Sequence, residues 1–272
     1  PPRHLFGADV GLGKTRDYIE VLPRLFDELK PRHAILITVP THKLAGELAA
    51  RIAAMGLEAE VYRGPRQPDP DCPEHQMCRR YDDYAVFQAA GAQSKLCNVC
   101  KHRSICGYLR QKKQTSKVWI APHNVLFHKR TAPIPPVDFL IIDEDPTNAG
   151  FEAQYVVLAE ADAPPKLAWA MRGLPLGVAF QRSDFGLDNQ TMHRLENDLW
   201  TRALTVKLDA DADDSDINAA KAVVLEAAKD VAHAKLLRAI RLQGVAGLRC
   251  LEGQNGRRLE WTQQKRIHKD FN

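Results

Sequence analysis

The sequence has no long apolar run, and no hydrophobic stretch approaches the roughly 20 residues that a membrane-spanning helix needs. It has no recognisable secretory signal, so we expect a cytoplasmic protein without a membrane partner. Aromatic residues make up only 7% of the chain, and the net charge is only +4. Neither value selects a class of partner. The hydrophobic content of 44% is that of an ordinary globular protein.

Acidic residues are missing from one long stretch in the middle of the chain. Between residues 84 and 137 there are nine Lys and Arg residues and no Asp or Glu. Such a block suits a polyanion such as nucleic acid. A solvated basic face, balanced by acidic residues elsewhere, would have the same composition, so the block alone does not decide between them.

A phosphate-binding loop is present at residues 8–15, which read A-D-V-G-L-G-K-T and fit the pattern A-x-x-G-x-G-K-T. A short strand-like segment precedes it, and apolar residues at helical spacing follow it. The glycines let backbone N–H groups approach phosphate oxygens at a helix N-terminus. Lys14 is expected to reach the β- and γ-phosphates of ATP, and the Thr15 hydroxyl to hold Mg²⁺. The predicted nucleotide contacts are Ala8, Gly11, Leu12, Gly13, Lys14 and Thr15.

A second nucleotide motif is predicted at Asp143 and Glu144, which directly follow the apolar run 139–142. Ligands bind at the carboxyl ends of such buried strands. Asp143 is expected to hold Mg²⁺, and Glu144 to orient or deprotonate the attacking water. With Lys14, they are the predicted catalytic residues of an ATP hydrolase.

The order of elements predicts a doubly wound α/β fold with a parallel sheet, interrupted once. Apolar strands and helices alternate through residues 1–63 and again through 115–150, which together form the nucleotide-binding domain. The proline-rich stretch 64–73 excludes regular structure and begins a cysteine-rich insertion at 64–114. Residues 151–272 form a mainly helical domain, with the strongest helices at 189–208 and 216–242 and Asp216 as an N-cap.

Five of the six cysteines lie in the insertion, between residues 72 and 106. Two of them form a C-x-x-C pair, which brings two thiolates to one metal centre. In a cytosolic protein such a group more often holds a metal than a disulfide, and four thiolates suit either Zn²⁺ or an iron–sulfur cluster. The predicted ligands are Cys78, Cys97, Cys100 and Cys106, with Cys72 as a substitute and His75 and His102 as alternative zinc ligands.

The order of the motifs in this chain carries a resemblance to a known family. The order is the phosphate loop, the segment V-P-T-H-K-L at 39–44, the cysteine insertion, the D-E-D-P box at 143–146 and the helical segment. It resembles that of the iron–sulfur superfamily 2 DNA helicases of the XPD and DinG type. The resemblance is closest to helicase-like proteins of phages and mobile elements. It implies a RecA-like P-loop NTPase domain, a [4Fe–4S] cluster held by the four cysteines, and a helical arch. The box departs from the usual D-E-A-H, and the cysteine spacing leaves Zn²⁺ open.

The resemblance also implies partners. Single-stranded or forked DNA would lie along the basic insertion. The second RecA-like domain, whose arginine finger completes the ATP site, has no recognisable motif in this chain. Such a finger contributes about a thousandfold or more, so we expect nucleotide binding with poor hydrolysis by this chain alone. The residues expected to contact nucleic acid are Pro40, Thr41, Lys101, Arg103, Lys112 and Lys113.

Two alternatives stay open on the sequence. One is a P-loop ATPase with a structural zinc module that remodels protein or translocates without unwinding. The other is a non-catalytic nucleic-acid-binding regulatory module that keeps nucleotide as a structural ligand. Metal identity and strand separation distinguish the first from a helicase, and the effect of a Glu144→Gln substitution on function distinguishes the second.

Overall fold

The computed structural model describes residues 14–128, 133–146, 151–157, 163–179, 182–243, 249–253, 256–264 and 271. The helices are α1 (Lys14–Glu28), α2 (His42–Ala54), α3 (Tyr81–Ala89), α4 (Gln93–Val99), α5 (Gly107–Arg110), α6 (Pro165–Arg172), α7 (Asn189–Ala203) and α8 (Asp214–Gln243). The strands are β1 (Ala34–Val39), β2 (Ala59–Val61), β3 (Pro68–Asp69), β4 (Cys72–Gln76), β5 (Val118–Pro122), β6 (Val137–Ile142), β7 (Phe151–Val157), β8 (Arg249–Gly253) and β9 (Gly256–Gln264).

The chain divides into two compact units. The first draws on residues 1–67, 108–150 and 265–272, and the second on 68–107 and 151–264. Residues 68–107, which carry all five clustered cysteines, therefore belong to the same unit as the C-terminal segment. The sequence had placed these two segments in separate domains.

The first unit is built on a four-stranded parallel sheet in the order β2-β5-β1-β6. All six residues of β1 are buried, because a central parallel strand is covered on both faces. Alternate residues of β1 and β5 face the helices α1 and α2, whose buried side chains include Leu22 and Ile52. The predicted α/β fold with a parallel sheet is confirmed at this level. The strand expected before the phosphate loop lies outside the described residues.

The opposite face of the sheet has its own apolar core. Leu36, Trp119 and Leu126 are fully buried there, and Leu126 belongs to a 3-10 helix at 123–127 that follows β5. The side chains at alternate positions of one strand therefore enter two different cores, as the strand pleat requires. This alternation determines on which side of the sheet each residue at the strand ends lies.

The second unit contains a sheet that the sequence did not predict. β7, β9 and β8 form a three-stranded antiparallel sheet in that order. The expectation of a mainly helical domain for 151–272 is therefore wrong in this part. Strand β9 reads G-R-R-L-E-W-T-Q-Q, with charged and amide side chains among few apolar ones. Such a strand lacks the apolar run by which the strands of the first unit were found.

The two strongest helices of the second unit were predicted at the right places, but α7 ends at Ala203 and not at 208. α7 and α8 pack on a core that includes Met192, Leu199 and Leu237. Asp188 begins α7, where its side chain accepts a hydrogen bond from the Thr191 amide at 2.7 Å. α8 begins two residues earlier than expected.

The N-cap of α8 is not Asp216. Asp213 Oδ1 accepts hydrogen bonds from the amides of Ser215 and Asp216 at 2.7 Å and 3.0 Å, so Asp213 caps this helix. Asp216 lies inside the first turn, where its carboxylate accepts a hydrogen bond from the Asp213 amide at 3.0 Å. Each of the two carboxylates thus accepts a hydrogen bond from the main-chain amide of the other residue, which is the arrangement of a capping box.

The cysteine-rich segment has more regular structure than its prolines suggested. Pro68 and Asp69 pair with β4 in a short hairpin, which corrects the expectation of irregular backbone throughout 64–73. α3 and α4 follow. Ion pairs connect this segment to α8: Arg80 contacts both Asp83 and Asp214, and Lys221 contacts Asp83. Charged side chains therefore contribute to this contact.

One ion pair of the second unit is nearly removed from water, and its loss should be costly. Arg241 donates two hydrogen bonds to Glu196 Oε2, at 2.9 Å and 3.2 Å, and the Glu196 side chain is only 6% exposed. Replacing Arg241 with Met leaves a buried carboxylate unpaired, which we expect to cost about 3–5 kcal/mol of unfolding free energy. Urea unfolding followed by circular dichroism measures it.

The matched control is Lys229→Met on the same helix. Lys229 pairs with Glu226 at 2.9 Å, but both side chains are well exposed, at 44% and 70%. Its loss should change stability by about 1 kcal/mol or less. Equal effects of the two substitutions would contradict the importance of the buried pair.

No helix among the described residues is both long enough and apolar enough to cross a membrane.

Candidate nucleotide site and cysteine centre

The carboxyl ends of the parallel strands bring three predicted segments to one edge of the first unit. Val39 lies beside Pro122 in the sheet, and Thr38 lies beside Ile142. The residues after these strands, beginning at 40, 123 and 143, therefore leave the sheet at the same edge. Ligands of open α/β sheets bind at this edge.

The helix that follows the phosphate loop meets the acidic motif at this edge. Residues 8–13, including the predicted contacts Ala8, Gly11, Leu12 and Gly13, lie outside the described residues. α1 begins at Lys14, directly after the loop. The Tyr18 hydroxyl donates a hydrogen bond to Asp143 Oδ2 at 3.1 Å and is also hydrogen-bonded to the Thr15 side chain. One phenol thus contacts both predicted Mg²⁺ ligands, Thr15 and Asp143.

The sequence did not predict a role for the Tyr18 hydroxyl, because the helical spacing placed this residue only on the apolar face of α1. Burial and the negative charge of Asp143 raise the pKa of the Tyr18 phenol far above its usual value. The phenol is therefore protonated at neutral pH and acts as a hydrogen-bond donor. A tyrosine one turn after the loop residue Thr15 was the available signal.

The donor set at this edge fits a magnesium nucleotide. A threonine hydroxyl and a carboxylate are oxygen ligands of the kind that Mg²⁺ prefers, and they lie within the reach of one tyrosine. The N-terminus of the 15-residue helix α1 favours negative charge beside them. These groups are of the kinds that Mg²⁺ and phosphate require.

Glu144 has an unusual backbone conformation. Its φ is 72°, in the left-handed region that non-glycine residues rarely adopt, while the preceding Asp143 amide donates to the Thr38 carbonyl at 2.9 Å. Such a conformation costs about 1–3 kcal/mol and is concentrated at functional sites. The Glu144 side chain is exposed at the sheet edge. The strained residue is the one predicted to act on the attacking water.

His123 is a further residue at this edge that the sequence did not single out. It follows β5, is only 4% exposed, and neither ring nitrogen makes a hydrogen bond of good geometry within the described residues. Burial lowers the pKa of its imidazole, against the opposing effects of the Asp143 main chain and of the carboxylates of Glu144, Asp143 and Asp145. The available signal was a histidine immediately after a buried strand at the predicted ligand edge.

The predicted nucleic-acid residues near this edge include a helix cap. Thr41 Oγ1 accepts a hydrogen bond from the Leu44 amide at 3.2 Å and so caps α2. Pro40 ends β1 and is partly exposed, and Thr41 is exposed. The main-chain groups of Pro40 and Thr41 therefore lie at the surface, where the predicted contact with a nucleic-acid backbone stays a prediction.

Two of the four predicted basic contacts are engaged within the chain. Lys101 forms an ion pair with Asp214. Arg103 donates hydrogen bonds to the Cys97 carbonyl at 2.8 Å and to Asn98 Oδ1 at 3.1 Å, which closes the C-terminal end of α4. The Lys112 ammonium lies 5.6 Å from the centre of the Tyr108 ring. Lys112 and Lys113, rather than Lys101 and Arg103, are the more available cations.

Three of the four predicted metal-binding cysteines lie together. Cys78 and Cys106 are each 7% exposed and hydrogen-bonded to one another, and the Cys97 thiol is an electrostatic neighbour of Cys78. The hydrogen bond with Cys106 and burial raise the pKa of the Cys78 thiol well above its usual value. Cys100 ends α4 and interacts electrostatically with Arg80. The Cys72 thiol instead contacts Glu74 and Arg79, so Cys78 stays the predicted ligand.

The spacing of these thiols does not select between one zinc ion and an iron–sulfur cluster. A tetrahedral Zn²⁺ with Zn–S bonds of about 2.3 Å requires its sulfurs within about 4 Å of one another. No three of these four thiols lie all within 4.8 Å of one another. A cluster holds its four thiolate ligands on separate irons, farther apart than the hydrogen-bonded Cys78 and Cys106, so the identity of the metal stays a prediction.

Another small group of metal-binding type lies on β4. The ligand atoms of Cys72, Glu74 and His75 are all within 4.8 Å of one another, and no other such set of three occurs in the part of the chain that the structure describes. The Cys72 thiol donates to Glu74 Oε1 at 2.7 Å, and Arg79 lies 3.6 Å from the same sulfur. The three side chains are partly or fully exposed. A guanidinium beside the sulfur competes with a cation for it.

Comparison with known proteins does not assign a family. Protein-family models, curated proteins and solved structures gave no match to this chain. The helicase resemblance therefore stays a prediction, and the function of this sheet edge has to be inferred from its own residues.

Proposed function

We propose that this chain is the nucleotide-binding motor half of an ATP-dependent DNA helicase or translocase. The observation that carries the proposal is the contact of one phenol, Tyr18, with both Thr15 and Asp143. It brings the residue after the phosphate loop and the acidic motif, far apart in sequence, to the carboxyl edge of one parallel sheet. ATP is the substrate, and its phosphates would lie at the N-terminus of α1.

Each of the predicted residues at this edge would have a separate role in binding or hydrolysing ATP. Lys14 and the loop amides would bind the phosphates, and Thr15 and Asp143 would hold Mg²⁺, which supplies charge neutralisation when bound. Glu144 would orient the attacking water or take its proton. Hydrolysis by this chain alone should be slow, because the resemblance implies an arginine finger from a second RecA-like domain.

The cysteine centre is compatible with the helicase and with the zinc-module ATPase. The resemblance favours a [4Fe–4S] cluster, for which four cysteines are the usual ligands, and metal analysis distinguishes the two. Single-stranded DNA would be bound by basic residues such as Lys112 and Lys113, and its affinity should fall steeply as salt is raised. The regulatory module without catalysis is the remaining alternative.

Nucleotide binding tests the proposal directly. A fluorescent ATP analogue with Mg²⁺ should bind the intact chain, and Lys14→Ala should weaken binding by roughly 10- to 100-fold through the loss of charged hydrogen bonds. Arg24→Ala, an exposed cation on the same helix, is the matched control and should bind normally. Absence of nucleotide binding, or binding that survives Lys14→Ala unchanged, would overturn the proposal.

A strand-separation assay separates the helicase from its alternatives. The test combines this chain with a fusion that supplies a second RecA-like domain, and follows a forked DNA substrate. ATP-dependent separation supports a helicase. Movement along single-stranded DNA without separation supports the translocase, and nucleotide binding without any ATP-dependent effect supports the regulatory module.

A further inference from the structure

Two buried polar side chains at the nucleotide edge are left without partners among the described residues. The Thr38 hydroxyl is fully buried, and His123 is only 4% exposed, yet neither the hydroxyl nor either ring nitrogen makes a hydrogen bond of good geometry there, although the Asp143 main chain lies near the imidazole. Buried polar groups in folded proteins nearly always have partners. Thr38 lies opposite Ala121, so His123 is two positions farther toward the proposed ligand edge, and the two residues call for a group that is brought to them.

Strand alternation places these two residues on one side of the sheet. In β1, Ile37 and Val39 face the core under α1 and α2, so Thr38 faces the opposite side with Leu36. In β5, Trp119 and Ala121 face that opposite side as well, and His123 continues their alternation. β1 and β5 are neighbours in the sheet, so Thr38 and His123 lie on the same face of adjacent strands.

Among the nearby carboxylates, Glu144 is the one left to receive the imidazole. The charges of Asp143, Glu144 and Asp145 all act on His123. Asp143 already accepts the hydrogen bond from Tyr18, and Asp145 has an interaction of its own. The Glu144 carboxylate makes no hydrogen bond within the described residues, and its main chain is held in the left-handed conformation.

We propose that His123 is a positioning residue for Glu144. With nucleotide bound, one ring nitrogen of His123 donates a hydrogen bond to the Glu144 carboxylate, and the other accepts one from the Thr38 hydroxyl. This pairing satisfies two buried groups and fixes the carboxylate toward the attacking water, as supporting residues fix the groups of other active sites. The inference rests on the proposed ATPase function of the same edge.

Rates and affinities of matched variants provide the first test. His123→Phe should lower the single-turnover rate of ATP hydrolysis by about 10- to 100-fold, with nucleotide affinity nearly unchanged. His123→Asn keeps a donor and an acceptor and should recover most of the rate. The exposed His193→Asn is the control and should leave the rate unchanged. If His123→Asn is as slow as His123→Phe, or neither is slow, the proposal fails.

A double-mutant cycle tests whether His123 acts through Glu144. Because the imidazole would work only by holding that carboxylate, His123→Phe combined with Glu144→Gln should be no slower than Glu144→Gln alone. If the double variant is slower than Glu144→Gln by the factor that His123→Phe causes alone, His123 acts independently of Glu144 and the proposal is overturned. Thermal unfolding of each variant separates a folding defect from a catalytic one.

A spectroscopic readout does not depend on turnover. ¹⁵N spectra of the histidine rings, with the His123 signals identified by their loss in His123→Asn, should show His123 nitrogens shifting when a non-hydrolysable ATP analogue and Mg²⁺ are added. The shift should disappear in Glu144→Gln. Analogue binding without a His123 shift overturns this inference and leaves the proposed function standing, whereas no analogue binding at all overturns both.

Discussion

Replacing Glu144 with Gln is expected to slow ATP hydrolysis by roughly 10²- to 10⁴-fold, the usual contribution of a general base. Nucleotide affinity should be nearly unchanged, because the amide has the same size and the phosphates are bound elsewhere. Glu144 is suited to this role by its place after β6 and by its left-handed backbone, which turns the chain sharply at the sheet edge. A single-turnover assay with labelled ATP and excess protein measures a slow enzyme reliably.

The control for this substitution is Glu58→Gln. Glu58 is also exposed, but it precedes β2 and so lies at the amino edge of the same sheet. Its replacement should leave the rate of hydrolysis unaltered. If Glu144→Gln hydrolyses ATP at the rate of the unmodified chain, another group must activate the water, and the assignment of Glu144 is wrong.

The second large effect is expected at the cysteine centre. Purified without oxygen, the chain should contain about four iron and four sulfide and have the visible absorption of a cubane cluster. Cys78→Ser and Cys106→Ser should each lose most of this iron, because the two thiols lie buried against one another. Loss of the centre should also lower the stability of the segment around it, since metal binding is coupled to folding in small metal-binding segments.

Cys72→Ser is the matched control for these two variants. Cys72 lies in the same segment, but its thiol contacts Glu74 and Arg79 and not the other cysteines of the centre. It should keep its iron and sulfide. One zinc without sulfide in the unmodified chain would instead support the zinc-module ATPase, and loss of iron in Cys72→Ser would mean that the ligand set is wrong.

The first unit was largely predictable because its strands have a simple pattern. The apolar runs that became β1 and β6 are the ones expected from a parallel sheet covered on both sides. The acidic pair after β6 followed from the rule that ligands bind at carboxyl strand ends. Local pattern was sufficient here because each strand carries its own burial signal in consecutive residues.

The sheet of the second unit was not predicted, because its strands lack such a burial signal in consecutive residues. Strand β7 pairs with β9, which lies about 100 residues later in the chain, and β9 alternates charged or amide residues with few apolar ones. The composition of such a strand does not distinguish it from a polar loop. The Asn255-Gly256 pair in the sequence between β8 and β9 is typical of a hairpin and was a local signal that the sequence analysis did not use. The same limit applies to the Pro68–Asp69 hairpin, where pairing with β4 overrides the preference of proline for irregular backbone.

By itself the sequence determined the chemistry that this protein carries: a phosphate-loop pattern, an acidic pair after a buried strand, and a cluster of cysteines. Only the tertiary structure decided which of these groups meet. It brought Thr15 and Asp143 to one tyrosine, set Cys78 beside Cys106, and buried His123 within reach of the charges of Asp143, Glu144 and Asp145. The physical reason is that residue type and spacing set local chemistry, whereas neighbours distant in sequence are chosen by packing over the whole fold.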